Sequence, residues 1–416
     1  MRKYGDFLWL FIYNAHFYFP SPRKYWGLSL EYIYTREAGH RLIKDRRILH
    51  DSFVPRKLPG REEEIRKFSS LLSPLLGNEP SVNVVFLGKP GTGKTAVAKR
   101  VIQDFSELYP SAPIRYIYIN CSRANTSYRV LYNLNKEFGM LIPPSGYPYD
   151  ELYNNFLDAF NRMRSWLVLI LDEVDLLVKR DGDRLLYSLS RLEGGEKGIM
   201  IVGISNAPNF LDRLDPRTLS SFSPETIIFS PYRAHQLFDI LKQRAEMGLQ
   251  EGSYEDGALS LIAARIAEES GDARRAIDVL RMAAELAERE NAQKINEEIV
   301  MRAFKHVDEE EVMITIRSLP LHHKLVLLAA ARLLAKGDPR PGTGKVYYQY
   351  KRIVKDYLAK PLTMRRVSGI LRELESMGLL EIKMDYGGSH GNTKVIGSLV
   401  MPPDEMNRIL EKMGFS

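Results

Sequence analysis

Gly88-Lys89-Pro90-Gly91-Thr92-Gly93-Lys94-Thr95 has the spacing G-x-x-x-x-G-K-[ST]. That spacing builds a phosphate cradle when a strand precedes it and a helix follows. An apolar run comes before it, and Ala96-Val97-Ala98-Lys99-Arg100-Val101 is a good helix start. Gly88, Gly91 and Gly93 let backbone N–H groups turn inward around phosphate oxygens. Pro90, Thr92 and Ala96 belong to the same nucleotide-binding stretch. The helix N-terminus adds a positive end. Lys94 supplies a point charge to the β- and γ-phosphates, and the Thr95 hydroxyl suits Mg²⁺.

Leu167-Val168-Leu169-Ile170-Leu171-Asp172-Glu173 is an apolar strand ending in two carboxylates. Carboxylates there are costly unless paired or near a metal. Asp172 fits the Mg²⁺ contact. Glu173 fits the group that orients and deprotonates an attacking water. Asn206 ends the next strand, where its amide reaches toward a γ-phosphate or that water. Gly271-Asp272-Ala273-Arg274-Arg275-Ala276 opens a helix with guanidinium groups in its first turn, against the helix dipole. A γ-phosphate would compensate. Arg274 is the first choice and Arg275 the fallback. Tyr232, where the last strand gives way to helices, is assigned to the nucleotide as well. The string Gly342-Thr343-Gly344-Lys345 copies part of the cradle. It lacks the upstream glycine and has Val346 in place of the hydroxyl, so it reads as a helix-entry turn.

These groups need elements to hold them. Val82–Gly88, Ile114–Cys121, Leu167–Asp172, Ile199–Ser205 and Thr226–Phe229 read as strands separated by helical segments, hence a parallel α/β sheet. Ala234 to His306 is helical in pattern, and the run Asp308-Glu309-Glu310-Glu311 looks like a boundary. Beyond Leu319-Pro320, Lys324–Ala335, Val346–Leu358 and Met364–Met377 read as three helices. Leu380–Met384 and Val395–Met401 form a hairpin with the tip Gly387-Gly388-Ser389-His390-Gly391-Asn392. Three helices and a hairpin make a winged helix. The organisation expected is an N-terminal extension (1–48), a P-loop α/β base domain (49–232), a helical lid (233–312) and a winged-helix domain (313–416).

In the third helix of that last block, Val367, Ile370, Leu371 and Leu374 form the buried stripe. Arg365, Arg366, Ser368 and Arg372 are left outward, and a recognition helix presents such residues to the major groove. Arg366 is preferred over Arg365 for reading a base. Ile316–Ser416 carries 17 Lys+Arg against 9 Asp+Glu, a surplus that on charge alone suits a polyanionic partner or a solvated basic face equally, and that beside these outward arginines favours DNA over a protein-binding winged helix.

One cysteine among 416 residues excludes a disulfide framework and a cysteine-only zinc site. The aromatic run Phe7–Tyr13 is too short to span a bilayer, where about 20 apolar residues are needed. No membrane association is expected, and a cytoplasmic, nucleoid-associated location follows. The aromatic first stretch is read as a mis-assigned start or a family-specific appendage.

Gly88–Thr95, Asp172-Glu173, Asn206 and Gly271–Arg274, followed by a winged helix, resemble AAA+ ATPases of the initiator group. The chain is most similar to archaeal ORC-type replication initiators, related to the origin-recognition and cell-division-control ATPases. Phe53-Val54-Pro55-x-x-Leu58-x-x-Arg61-Glu62, Leu185-Leu186-Tyr187-x-Leu189, Asp215-Pro216-Arg217 and Thr343-Gly344-x-Val346-Tyr347 agree. The resemblance implies ATP and ADP as ligands with Mg²⁺, and slow hydrolysis used as a switch. It implies double-stranded origin DNA and the replicative helicase, or other replication proteins, as partners. It also implies a DNA-touching helical element, which places Arg123 and Arg129 on DNA, and a wing to which Lys394 belongs. Two departures stand out. Ser220-Ser221-Phe222 has no Arg where relatives carry an arginine finger, leaving Arg217 as the candidate. The wing tip also lacks arginines, which predicts weaker contacts with phosphate. An ATP-gated transcriptional regulator and an AAA+ remodeller are the rival readings.

Overall fold

The computed structural model describes residues 41–143, 146–192, 198–357, 360–385 and 393–414. The chain divides into two units, with the division between Arg41 and Leu42. The aromatic first stretch and the wing tip Gly387–Asn392 lie outside the described residues, and everything below concerns the second unit.

Its first half alternates helices and strands: α1 (Glu62–Leu72), β1 (Val84–Leu87), α2 (Lys94–Leu108), β2 (Ile114–Asn120), α3 (Ser127–Glu137), α4 (Tyr149–Arg162), β3 (Trp166–Asp172), α5 (Val174–Asp181), α6 (Arg184–Ser190), β4 (Ile199–Ser205), α7 (Pro216–Phe222) and β5 (Glu225–Ile228). The strands make one parallel sheet in the order β2-β3-β4-β1-β5. Both faces are covered, which is why β3 and β4 are apolar at nearly every position. Val168 and Ile170 pack against α1 and α2 with Phe68, Val97 and Val101. Leu167, Leu169 and Leu171 pack on the other face with Leu131 and Phe156. This two-residue period sends alternate side chains to opposite cores. Every strand therefore ends at the same edge, where ligands of such sheets bind.

Four helices follow: α8 (Ala234–Gly248), α9 (Asp256–Glu269), α10 (Ala273–Arg289) and α11 (Glu297–Ser318). They bury Leu241, Ile262, Leu280 and Phe304 in a second core. Leu42, Ile43 and Leu49 join that core, so this early segment packs with the helical lid although it precedes the sheet in sequence. Arg244 fastens it, donating to the carbonyls of Ile48 (2.6 Å) and Phe53 (2.7 Å).

A third core gathers α12 (Leu321–Ala335), α13 (Thr343–Ile353), α14 (Met364–Ser376), the antiparallel hairpin β6 (Leu380–Asp385) and β7 (Thr393–Leu399), and α15 (Pro403–Lys412). The sequence pattern left α15 unassigned, and it closes the core with Met406 and Leu410. The acidic run Asp308–Glu311 lies inside the 22-residue helix α11, so the passage from the lid to the winged-helix domain runs through continuous helix. That helix places Phe304 and Val307 in the second core and Ile316 in the third. Glutamate propagates a helix well, and the carboxylates of Asp308 and Glu311 are paired with Arg275, that of Glu309 with Lys305. Among the described residues no helix is long and apolar enough to cross a membrane.

Candidate nucleotide site and nucleic-acid interface

The loop after β1 needs backbone that only glycine adopts without strain. Gly91 and Gly93 have φ +71° and +88°, and Gly93 caps α2. The space is as restricted as the dihedrals. A Cβ on Gly93 would fall 2.5 Å from the Tyr232 hydroxyl. Tyr232 is buried behind the loop, and its ring lies 3.9 Å under the Arg61 guanidinium. Gly88 is as tightly set, with the Phe229 carbonyl 2.4 Å from a would-be Cβ, and Pro90 is exposed at the loop's turn. The buried Thr92 donates its hydroxyl to the Lys89 carbonyl at 2.9 Å.

Lys94 is buried at the start of α2, and its Nζ donates to the carbonyls of Gly88 and Lys89, both at 2.7 Å. Burial lowers its pKa to about 8, partly opposed by Asp172 and reinforced by Arg274. A phosphate would replace those carbonyls as the partner of the ammonium. Thr95 Oγ1 and the Tyr118 hydroxyl both donate to Asp172 Oδ2, at 2.8 and 2.7 Å. A hydroxyl and a carboxylate side by side are hard oxygen donors. They fit Mg²⁺, which takes one or two protein oxygens and completes its shell with phosphate and water.

Glu173 follows with φ +57°, a left-handed conformation costing a non-glycine residue about 1–3 kcal/mol. It caps α5 and lines the cavity beside Asp172 and Asn206. Asn206, whose backbone N–H donates to Asp175 Oδ1 at 3.3 Å, also lines the cavity. From the lid side, Arg274 enters the same cavity, along with Ala96 from α2. The lining also includes the apolar side chains of Phe53, Pro55, Leu58, Ile240 and Ile277, together with Gln243 and Arg244. One cavity thus combines cationic and glycine-rich lining with apolar side chains of the kind a purine ring packs against.

Arg275, the fallback for Arg274, is turned away. Its guanidinium donates to Asp308 and Glu311 on α11, both at 2.6 Å. The anion that the start of α10 needs is internal too: Asp272 caps the helix, accepting from the N–H groups of Arg274 (2.7 Å) and Arg275 (3.3 Å).

Sequence reasoning gave Arg61, Tyr118 and Arg244 no role. Arg61 is buried and latches the loop, donating to the carbonyls of Thr92 (2.8 Å) and Ser230 (2.5 Å), with Glu64 as counter-ion at 2.9 Å. A lone Arg before an acidic helix start carries no local signal for that. Gly342–Lys345, by contrast, is the helix entry expected: Gly342 caps α13 and Lys345 pairs with Asp338 at 2.7 Å.

The cations assigned to nucleic acid fall in two places. Arg123 and Arg129 are exposed around the start of α3, where Thr126 is the cap and the Arg129 guanidinium donates to the Arg123 carbonyl at 3.2 Å. In α14, Val367, Ile370, Leu371 and Leu374 are buried, Arg365, Arg366 and Arg372 exposed, and Ser368 half-buried. Lys394 is exposed on β7.

A five-stranded parallel sheet with this loop, a helical lid bearing Arg274 and a terminal winged helix define an AAA+ ATPase joined to a winged-helix domain. Family models match in the same order: an AAA domain over residues 81–214, the Cdc6 AAA+ ATPase-type lid domain over 238–305 and the CDC6 C-terminal winged-helix domain over 314–409. The chain is 40% identical over 370 residues to the ORC1-type DNA replication protein of Thermococcus onnurineus, covering 87% of this chain and 89% of that one. It is 42% identical over 358 residues to ORC1-type DNA replication protein 1 of Archaeoglobus fulgidus, covering 85% and 87%. The Aeropyrum pernix ORC1 protein, solved in complex with DNA, superposes with TM-score 0.79 at 34% identity, covering 90% of this chain and 98% of that one. This chain belongs to the family of ORC1-type DNA replication proteins.

Proposed function

We propose that this chain is an ATP-gated initiator. It binds double-stranded origin DNA and helps recruit or load the replicative helicase, with slow ATP hydrolysis as the switch, on the nucleoid in the cytoplasm. One observation carries the gating. Helix α11 runs unbroken from the lid core into the winged-helix core, and its Asp308 and Glu311 hold Arg275, the neighbour of Arg274 at the cavity.

In this reading Lys94 and the N–H groups of Gly91–Thr95 hold the phosphates, with Tyr232 and Arg61 fixing the loop behind them. Thr95 and Asp172 hold Mg²⁺, which when bound neutralises charge on the phosphate oxygens. Glu173 accepts a proton from the attacking water and Asn206 orients it. Arg274 meets the γ-phosphate and so reports its presence to α10. Ser220-Ser221-Phe222 has no Arg where relatives carry a finger, and Arg217, beside Arg191 on the same surface, is the remaining candidate, which favours slow turnover.

DNA is held at two places, by Arg365, Arg366, Ser368, Arg372 and Lys394 of the winged helix and by Arg123 and Arg129 of the base domain. The DNA complex of the Aeropyrum pernix relative supports this reading. Genome-wide mapping of bound DNA tests it: peaks at replication origins are expected, and peaks confined to promoters would overturn it. In vitro, each of Arg123→Ala and Arg129→Ala should lower the slope of log affinity against log salt by about one unit.

A further inference from the structure

Arg366, which the reading above places on DNA, is not a free side chain. It runs along α14 and its Nη1 donates to Glu373 Oε1 at 2.7 Å, two turns away. Gly369 lies between them, and a Cβ there would sit 3.6 Å from Arg366 Nη1. Glycine in a helix interior costs about 1 kcal/mol relative to alanine, and here its bare surface is the track on which the guanidinium lies. Glu373 is itself held from the core. Its other oxygen meets Nε2 of the buried His323, from α12, at 2.6 Å. These bonds, His323 first and Arg366 second, hold the Glu373 carboxyl below the ordinary range.

We propose that Glu373 is a specificity-determining positioning residue: it fixes the Arg366 guanidinium along α14 and withholds it from DNA phosphate. The inference rests on the winged-helix reading given above. Among the described residues only Nη1 is engaged, so the Nε and Nη2 edge of the guanidinium remains for a bidentate contact with guanine O6 and N7. The pair is exposed, with Arg366 at 53% and Glu373 at 40%, so DNA competes for it readily. Without Glu373, a long flexible cation reaches any nearby phosphate, and affinity rises on all sequences.

The test uses the full chain and two duplexes, one recovered from the strongest chromatin peak and a shuffled version of it. Titrations compare wild type, Glu373→Gln, Arg366→Ala and the double variant over a salt series. Glu373→Gln keeps the side chain's shape and an acceptor for His323. It is expected to tighten binding to the shuffled duplex by about fivefold and to steepen its salt slope by about one unit. Affinity for the peak duplex should change less than about twofold, and in the Arg366→Ala background the effect should vanish. An equal gain on both duplexes, or the same gain without Arg366, would reduce Glu373 to a nearby negative charge and overturn the proposal. Selective wild-type binding that depends on Arg366 but ignores Glu373→Gln overturns this inference alone. Failure of the wild type to bind either duplex, or no effect of Arg366→Ala on either, overturns both it and the winged-helix reading.

Discussion

A Cβ on Gly91 would lie 1.7 Å from the carboxylate of Asp272, although the two residues belong to different domains. The contact is reinforced by the Ala273 N–H, which donates to the Gly91 carbonyl at 3.1 Å. The phosphate loop and the first turn of the lid helix α10 are therefore docked through backbone. Gly91→Ala cannot keep both the φ of +71° and this approach. It should open the lid and lower thermal stability by an amount equivalent to about 1–3 kcal/mol. Calorimetry, with small-angle scattering for the lid position, checks this. An unchanged melting temperature and scattering profile would mean the two elements are not docked in solution.

Binding and hydrolysis should separate cleanly by substitution. Lys94→Ala removes the charge facing the phosphates and should weaken nucleotide binding by at least about tenfold. Glu173→Gln should bind ATP normally and lose turnover by about 10²–10⁴-fold, the usual size of a general-base effect. Equal nucleotide affinity in wild type and Lys94→Ala, or normal turnover in Glu173→Gln, would remove the residue from its role.

Lys94 also sets a pH dependence. Its pKa in the free protein is lowered to about 8 from 10.5 by burial. The ammonium is the form that pairs with phosphate, and bound phosphate raises the pKa again. Nucleotide affinity is therefore expected to be flat below about pH 8 and to fall above it, by up to about tenfold per pH unit. Stability of the free protein runs the other way. Between about pH 8 and 10.5 the unfolded chain binds more protons at this residue than the folded one, so this contribution to stability rises with pH. Titration calorimetry from pH 7 to 9.5, with Lys94→Ala as control, should show the slope in affinity only in the wild type.

Arg274 and Arg275 should behave differently although adjacent. Arg274→Ala should erase the difference in scattering between ATP- and ADP-bound protein while leaving the melting temperature nearly unchanged. Arg275→Ala breaks the contacts to Asp308 and Glu311, which are partly exposed, and should cost about 1 kcal/mol. It should also leave the lid responsive to nucleotide but weaken the response of DNA affinity to it. Reversed phenotypes would exchange the two roles.

What could be read in advance follows sequence distance. Gly88–Thr95, Asp172 and Glu173 announce themselves because spacing along one strand and one loop encodes their chemistry. The α/β alternation and the stripe Val367–Leu374 are legible for the same reason. Arg61 is not, because its carbonyl partners lie 31 and 169 residues away. Nor is Tyr118, 54 residues from the carboxylate it supports. The acidic run Asp308–Glu311 marks the passage between two cores, but its continuation as helix could not be read from it, because the guanidinium that Asp308 and Glu311 share sits on another helix, 33 and 36 residues away.

Helix α11 is a rod with one end sunk in each of two cores. Its 22 residues span about 33 Å at about 1.5 Å per residue. Arg275 grips it between those ends, so any shift in the first turn of α10 acts on α11 as torque on a lever. A tilt of about 5° about the lid end would carry the far end about 3 Å. That is close to the 3.4 Å rise of one base-pair step in duplex DNA. If α14 reads DNA as proposed, no large domain swing is needed to change what it meets. A few degrees of tilt, set by whether the γ-phosphate is present, would amount to a slip of one register mark along the duplex.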